Sequence, residues 1–166
     1  MQTQAISNPQ ARSRPKTVLV IDDERVTLLM LGLMIKNAGY RVVMAGDGSE
    51  ALKAIRLERP ALVVADVALD GEASGQELDG FQVLEWMHRV YPEHRGEAII
   101  VSAGDPENLR RKAVDAGVSG FVPKPITKSL LLAEIKRAIG DPLDLPRHGE
   151  TAFFRRHVPL TPRDPP

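Results

Sequence analysis

Asp22 with Asp23, Asp66, Ser102 and Lys124 lie far apart in the chain, yet each stands where a short apolar run ends. The runs are Val18–Ile21, Ala61–Ala65, Ala98–Val101 and Gly120–Val122. Three carboxylates can hold a hard divalent cation through oxygen while leaving it several waters. An anionic carboxylate that is to accept a dianionic phosphoryl group needs such a cation to neutralise charge and align the partners. Taken singly these residues have ordinary explanations. Adjacent acids often cap a helix, where exposed N–H groups and the positive dipole end favour them. A loop serine and a solvated lysine need no further account. Asp66 is harder to explain that way, because an aspartate closing so apolar a run needs a partner. Everything therefore turns on whether the runs are strands that end on one edge.

The pattern between the runs supports that arrangement. A strand over 17–21 leads to a helix over about 24–38, whose apolar face is read as Val26, Leu29, Met30 and Leu33 and which Gly39 stops. Tyr40–Ala45 is the second strand; Gly46–Ser49 turns into a helix over 49–58 with Ser49 as its cap, and Pro60 precedes the third strand. A helix over 80–90, a strand over 97–101, a helix over 106–116 ended by Gly117, a strand over 119–122 and a helix over 128–139 ended by Gly140 complete five β-α units. Five such units imply right-handed crossovers and a parallel sheet with helices on both faces. The expected fold class is α/β, a five-stranded, doubly wound, flavodoxin-like (β/α)5 sheet of order 2-1-3-4-5. In that order the ligand crevice lies at the carboxyl ends of the first and third strands, where Asp22, Asp23 and Asp66 would meet.

Length and composition narrow the classes. The apolar sequence suffices for one core and hardly for two. Twenty-two basic residues balance twenty-two acidic ones, so nothing in the overall charge draws the chain to nucleic acid or membrane. Without cysteine there is no disulfide framework and no thiolate metal site. No apolar run is long enough to span a bilayer, which leads to the expectation of a cytoplasmic protein. Residues 1–16 read as a disordered leader, 17–140 as the folded domain and 141–166 as a Pro-rich tail that carries Phe153 and Phe154 beside Arg155 and Arg156. Those phenylalanines could dock on a partner or on the domain's own surface. His88, His94, His148 and His157 show no ligand spacing and are expected at the surface.

The segments Val20–Glu24, Val64–Asp66, Leu78–Phe81, Val101–Ala103 and Phe121–Pro125, in that order, resemble the receiver domain of two-component response regulators, over about 17–140. Stand-alone receivers such as the chemotaxis response regulator are the nearest comparison. The resemblance implies that Asp66 is the phosphoacceptor and that Asp22, Asp23, Asp66 and the backbone carbonyl of Ala68 hold Mg²⁺. It further implies that Lys124 pairs with the phosphoryl oxygens, that Ser102 donates to them, and that Phe121 turns inward with Ser102 as the switch. Phe121 lacks the phenol oxygen that a tyrosine would bring there. The family carries a cis peptide at the position of Lys124-Pro125.

Two features depart from the family. The loop from Val67 to Leu78 is longer than usual and lacks the Met-Pro pair, which weakens the Ala68 assignment. Asp70, Glu72, Ser74 and Gly75 within it faintly suggest a calcium loop, but Phe81 stands where the bidentate glutamate belongs. The expected function is thus a single-domain response regulator. It takes phosphate from a histidine kinase or phosphotransfer protein and switches a surface made by its fourth helix, fifth strand and fifth helix for a downstream protein. It is expected to catalyse only its own modification, to bind no nucleic acid directly, to avoid membranes and to be a monomer or weak dimer. The alternatives are a Mg²⁺-dependent aspartyl-phosphate phosphohydrolase and a phosphate-independent interaction module. The former needs an acid two residues after its nucleophile, where Ala68 follows Asp66.

Overall fold

Runs of Val, Ile, Leu and Ala too short for helices, separated by amphipathic stretches, form one parallel sheet. Its strands are β1 (Thr17–Ile21), β2 (Arg41–Ala45), β3 (Leu62–Asp66), β4 (Glu97–Ser102) and β5 (Gly120–Pro123), in the order β2-β1-β3-β4-β5. The computed structural model describes residues 14–66, 80–91, 97–103, 113 and 116–143. Four helices lie among them: α1 (Arg25–Asn37), α2 (Gly48–Glu58), α3 (Gly80–Val90) and α4 (Lys128–Ile139). The leader to residue 13, the loop 67–79 with Ala68, the tail from 144 and His94, His148 and His157 fall outside the described residues, as does the helix expected over 106–116 apart from residues 113 and 116.

Side chains alternate across a strand, so each sheet face acquires its own core. Leu19, Ile21, Val63, Ala65 and Ile100 point one way and pack with Ala51 and Ile55 of α2 and Val83, Leu84 and Met87 of α3. Val18, Val20, Leu62, Val64, Ile99, Val101 and Val122 point the other way and pack with Leu31 and Ile35 of α1 and Leu131 and Ile135 of α4. β3 is buried at all five positions, as a central strand covered on both faces must be.

The apolar face read for the first helix is overturned. Val26, Leu29, Met30 and Leu33 are exposed, and the helix instead buries Leu31, Gly32 and Ile35. α1 is apolar around most of its circumference, so two stripes satisfy helical spacing equally well. The sheet selects between them: Gly32 rests against Met44, whose Sδ would lie 2.7 Å from a Cβ there, and this close approach seats Leu31 and Ile35 over β1. Ser49 does not cap α2 either. The helix begins one residue earlier, and Asp47 is its N-cap, accepting from the Glu50 backbone N–H at 2.8 Å. Asp47 competes better because its carboxylate also meets the positive helix end.

The amino-terminal edge of the sheet is tied by the chain beyond α4. Lys16 N–H donates to the Pro142 carbonyl at 2.9 Å, Lys16 Nζ to that of Ile139 at 2.7 Å, and the Tyr40 hydroxyl to that of Gly140 at 2.6 Å. None of the described helices is long and apolar enough to cross a membrane.

The choice of stripe on α1 has a direct test. Leu31→Ala is expected to cost about 2–5 kcal/mol, the range for a leucine removed from a close-packed core. Leu33→Ala is expected to stay within about 0.5 kcal/mol of wild type, as surface changes do. Denaturant midpoints of the two variants, compared at equal slope, decide between the faces.

Candidate functional site

Register places the site. Ile21 pairs with Ala65, so the next residues, Asp22 and Asp66, leave β1 and β3 side by side. Asp66 pairs with Val101 and Ser102 with Pro123, which brings Ser102 and then Lys124 to the same edge from β4 and β5. Asp66 closes β3, where the sequence ends that strand, and Ser102 is the last β4 residue, one place further into the sheet than the strand read over 97–101.

Asp66 and Ser102 are buried, at 5% and 7% exposure, and Asp22 is fully buried. Lys124 Nζ forms a short ion pair with Asp66 Oδ2, from a side chain 27% exposed. Its backbone N–H also donates to the Ser102 carbonyl at 2.9 Å, so the lysine is held to β4 as well as to β3. Burial works against the Lys124 ammonium, but the bond and charge of Asp66, with Asp22 and Glu24 beyond, hold its pKa above the ordinary lysine value. The Lys124-Pro125 peptide is cis.

Asp22 is the anomaly of the site. Its Oδ1 accepts from the Glu24 backbone N–H at 2.9 Å, while Oδ2 is the one buried side-chain oxygen or nitrogen among the described residues without a hydrogen-bond partner. Burial raises its pKa to about 6 from an ordinary 3.8; the Glu24 N–H opposes this, Asp66 adds to it, Lys124 opposes it and Asp23 adds to it. Neither acid caps α1, since the N-cap is Glu24 and no side chain caps there. Asp23 is exposed beside Asp22.

This donor set fits a partly hydrated hard cation better than a closed cage. An orphaned, buried carboxylate oxygen faces the charge of two further carboxylates, and a cation there would relieve both the repulsion and the missing bond. Among the described residues no three acidic or histidine side chains converge as a ready-made ligand cluster. Gly80, which sequence reading noted only within a motif, opens α3 directly against the site: a Cβ there would overlap the Asp66 carbonyl oxygen and come 3.4 Å from Ala65 Cβ. Phe121 is half-buried against the α2–α3 core, next to Ile100 in register with it. Ala68 lies outside the described residues, and His88, half-buried against Gly117, is remote from the carboxylates in the fold.

The response regulator receiver domain family matches residues 18–136, and the chain belongs to that family. It is 32% identical over 122 residues to the response regulator MprA of Mycolicibacterium vanbaalenii, covering 74% of this chain and 49% of MprA. It is 28% identical over 131 residues to the polar-differentiation response regulator DivK of Brucella anthropi, covering 76% of this chain and 98% of DivK. Among solved structures, a CheY-like receiver domain protein of Methanospirillum hungatei superimposes with a TM-score of 0.65 at 25% identity, over 75% of this chain and 94% of that one. The chain thus spans about half of MprA's length and nearly all of DivK's. Domains of this family are the phosphoryl-accepting modules of two-component signalling.

The orphaned oxygen predicts a pH signature. A proton on Asp22 favours the folded state, so without divalent metal this group costs nothing below pH 3.8. Its cost grows to about 3 kcal/mol as pH rises beyond 6, at 1.36 kcal/mol per pKa unit. Asp22→Asn should therefore stabilise the metal-free protein at pH 8 and have little effect at pH 4. Melting curves of both proteins across that range, with EDTA present, measure the difference.

Proposed function

We propose that Asp66 accepts a phosphoryl group from a phosphohistidine of a histidine kinase or phosphotransfer protein. Its carboxylate oxygen forms the new P–O bond while the P–N bond to the donor imidazole breaks and the imidazole leaves with that electron pair. The observation that carries this reading is the pairing of buried Asp66 with Lys124 beside the orphaned oxygen of Asp22. Lys124 already stands where an ammonium would meet phosphoryl oxygens borne by Asp66, and it exchanges one anionic partner for another without being desolvated anew. Asp22, Asp23 and Asp66, with the Ala68 carbonyl as a further donor, would hold Mg²⁺, which supplies charge neutralisation for two anions meeting.

Ser102, one strand away from Asp66, donates its hydroxyl to the phosphorylated side chain and draws the end of β4 with it. Phe121 lies two positions before the strand end that carries Lys124 and packs against the same core, so it follows that movement inward. The surface so altered, around β5 and α4 and the segment that precedes β5, is the one offered to a downstream protein. The chain modifies only itself, works in the cytoplasm, contacts neither nucleic acid nor membrane directly, and is monomeric or weakly dimeric.

Intact-protein mass after incubation with acetyl phosphate and Mg²⁺ tests the proposal. Wild type is expected to gain one phosphoryl group, stable in acid and labile in base, and to gain none in EDTA. Asp66→Asn should remain unmodified. An adduct that persists in Asp66→Asn, or no adduct from either small donors or histidine kinases, overturns the assignment.

A further inference from the structure

The stripe of α1 that the sheet leaves outside is not isolated. Leu29 and Leu33, at 53% and 60% exposure, join Met44 of β2, at 46%, with Gly32, Tyr40 and Val42 around an open groove of about 390 Å³. Lys36 and Arg41 stand at its rim. Among the described residues β2 is an edge strand that pairs with β1 alone, so the groove is bounded by a sheet edge they leave free. Contiguous exposed apolar surface rimmed by polar residues is a mark of interaction sites.

The chain itself ends its described course beside the groove. Pro142 is bonded to Lys16 and approaches Gly39, its Cγ 3.2 Å from where a Cβ there would stand, and Gly39 immediately precedes the groove residue Tyr40. From that point Asp144–Pro166 follow, and within them Gly149–Val158 is free of proline and carries Phe153 and Phe154, then Arg155 and Arg156. The groove runs about 13 Å from Tyr40 to Met44 at the rise of a strand. The ten residue steps from Leu143 to Phe153 span up to about 33 Å, so the aromatic pair reaches its far end with slack. A chain running that way next meets exposed acids: Asp47 and Glu50 beyond β2, and Glu24 before α1. The order of the tail, aromatics first and arginines after, matches the order of the surface, apolar first and acidic after.

We propose that Gly149–Val158 folds back in cis on the groove between α1 and β2, with Phe153 and Phe154 over Leu29, Leu33 and Met44 and Arg155 and Arg156 over the acids at the carboxyl edge of the sheet. A tether this short gives an effective concentration in the millimolar range, so even a weak contact is well populated. The docked tail covers the exposed face of α1 and sets two positive charges near the edge that carries Asp22 and Asp66. It is a built-in competitor for any partner that uses this face.

The absence of cysteine makes a unique spin label straightforward. In the full chain with Thr151→Cys carrying a nitroxide, the methyl signals of Leu29, Leu33 and Met44 are expected to lose about half or more of their intensity, the population of a millimolar contact at millimolar effective concentration. Leu57 and Val90, exposed on α2 and α3 over the other face of the sheet, are the controls and should keep theirs. Phe153→Ser with Phe154→Ser, changes confined to the tail, should restore the signals, and Leu33→Asp, at an exposed position, should restore those of Leu29 and Met44. Uniform or absent broadening overturns the proposal. Broadening that appears only when labelled chains are mixed with unlabelled, isotope-enriched ones overturns it in favour of a second copy on this face.

Discussion

A carboxylate at the end of the most buried strand is the constraint on which the rest of this structure depends. β3 is covered on both faces and flanked on both edges, and Asp66 closes it at 5% exposure. A charge so placed needs a partner of opposite sign, because transfer from water costs several kcal/mol that only close pairing offsets. Lys124 meets that need from β5, across the intervening strand β4. The pairing therefore ties together three strands whose order alone does not place their ends in contact.

The same edge shows the opposite treatment of a second carboxylate. Asp22 is more deeply buried than Asp66, yet one of its oxygens has no partner and burial raises its pKa. Folding has gathered negative charge here beyond what Lys124 neutralises. An orphaned buried oxygen calls for an explanation, and the cation and phosphoryl site proposed above supplies one. Gly80 shows how closely the surroundings are drawn in, since α3 starts where no side chain would fit against the Asp66 carbonyl.

Tight closure at the carboxyl edge contrasts with what happens beside β2. There the helix α1 carries more apolar surface than the sheet can cover. One stripe, Leu31 and Ile35, reaches the core over β1, and the other is left in the open with Met44. Domains bury one face of a surface helix and solvate the opposite one, so apolar residues on both sides point to a second contact made outside the sheet.

The alternation of apolar runs with amphipathic stretches determined the α/β class and the parallel sheet, because short β-branched runs spaced by helices leave few right-handed topologies; the order 2-1-3-4-5 is one of the common doubly wound orders, and the tertiary structure selects it. The positions of Asp22, Asp66, Ser102 and Lys124 at the ends of those runs were legible for the same reason: parallel strands put all their carboxyl ends on one edge. The sequence could not determine which stripe of α1 faces the sheet, since Val26, Leu29, Met30 and Leu33 have the same helical spacing as the buried set and only the approach of Gly32 to Met44 separates them. Nor could it choose Asp47 over Ser49 as the cap of α2, or tell that Asp22 would be buried with an oxygen unpaired while its neighbour Asp23 remains exposed. Periodicity and residue type are properties of a segment. Burial, pairing and the loss of a hydrogen-bond partner are decided by what the other strands and helices bring alongside it, and only the tertiary structure contains that.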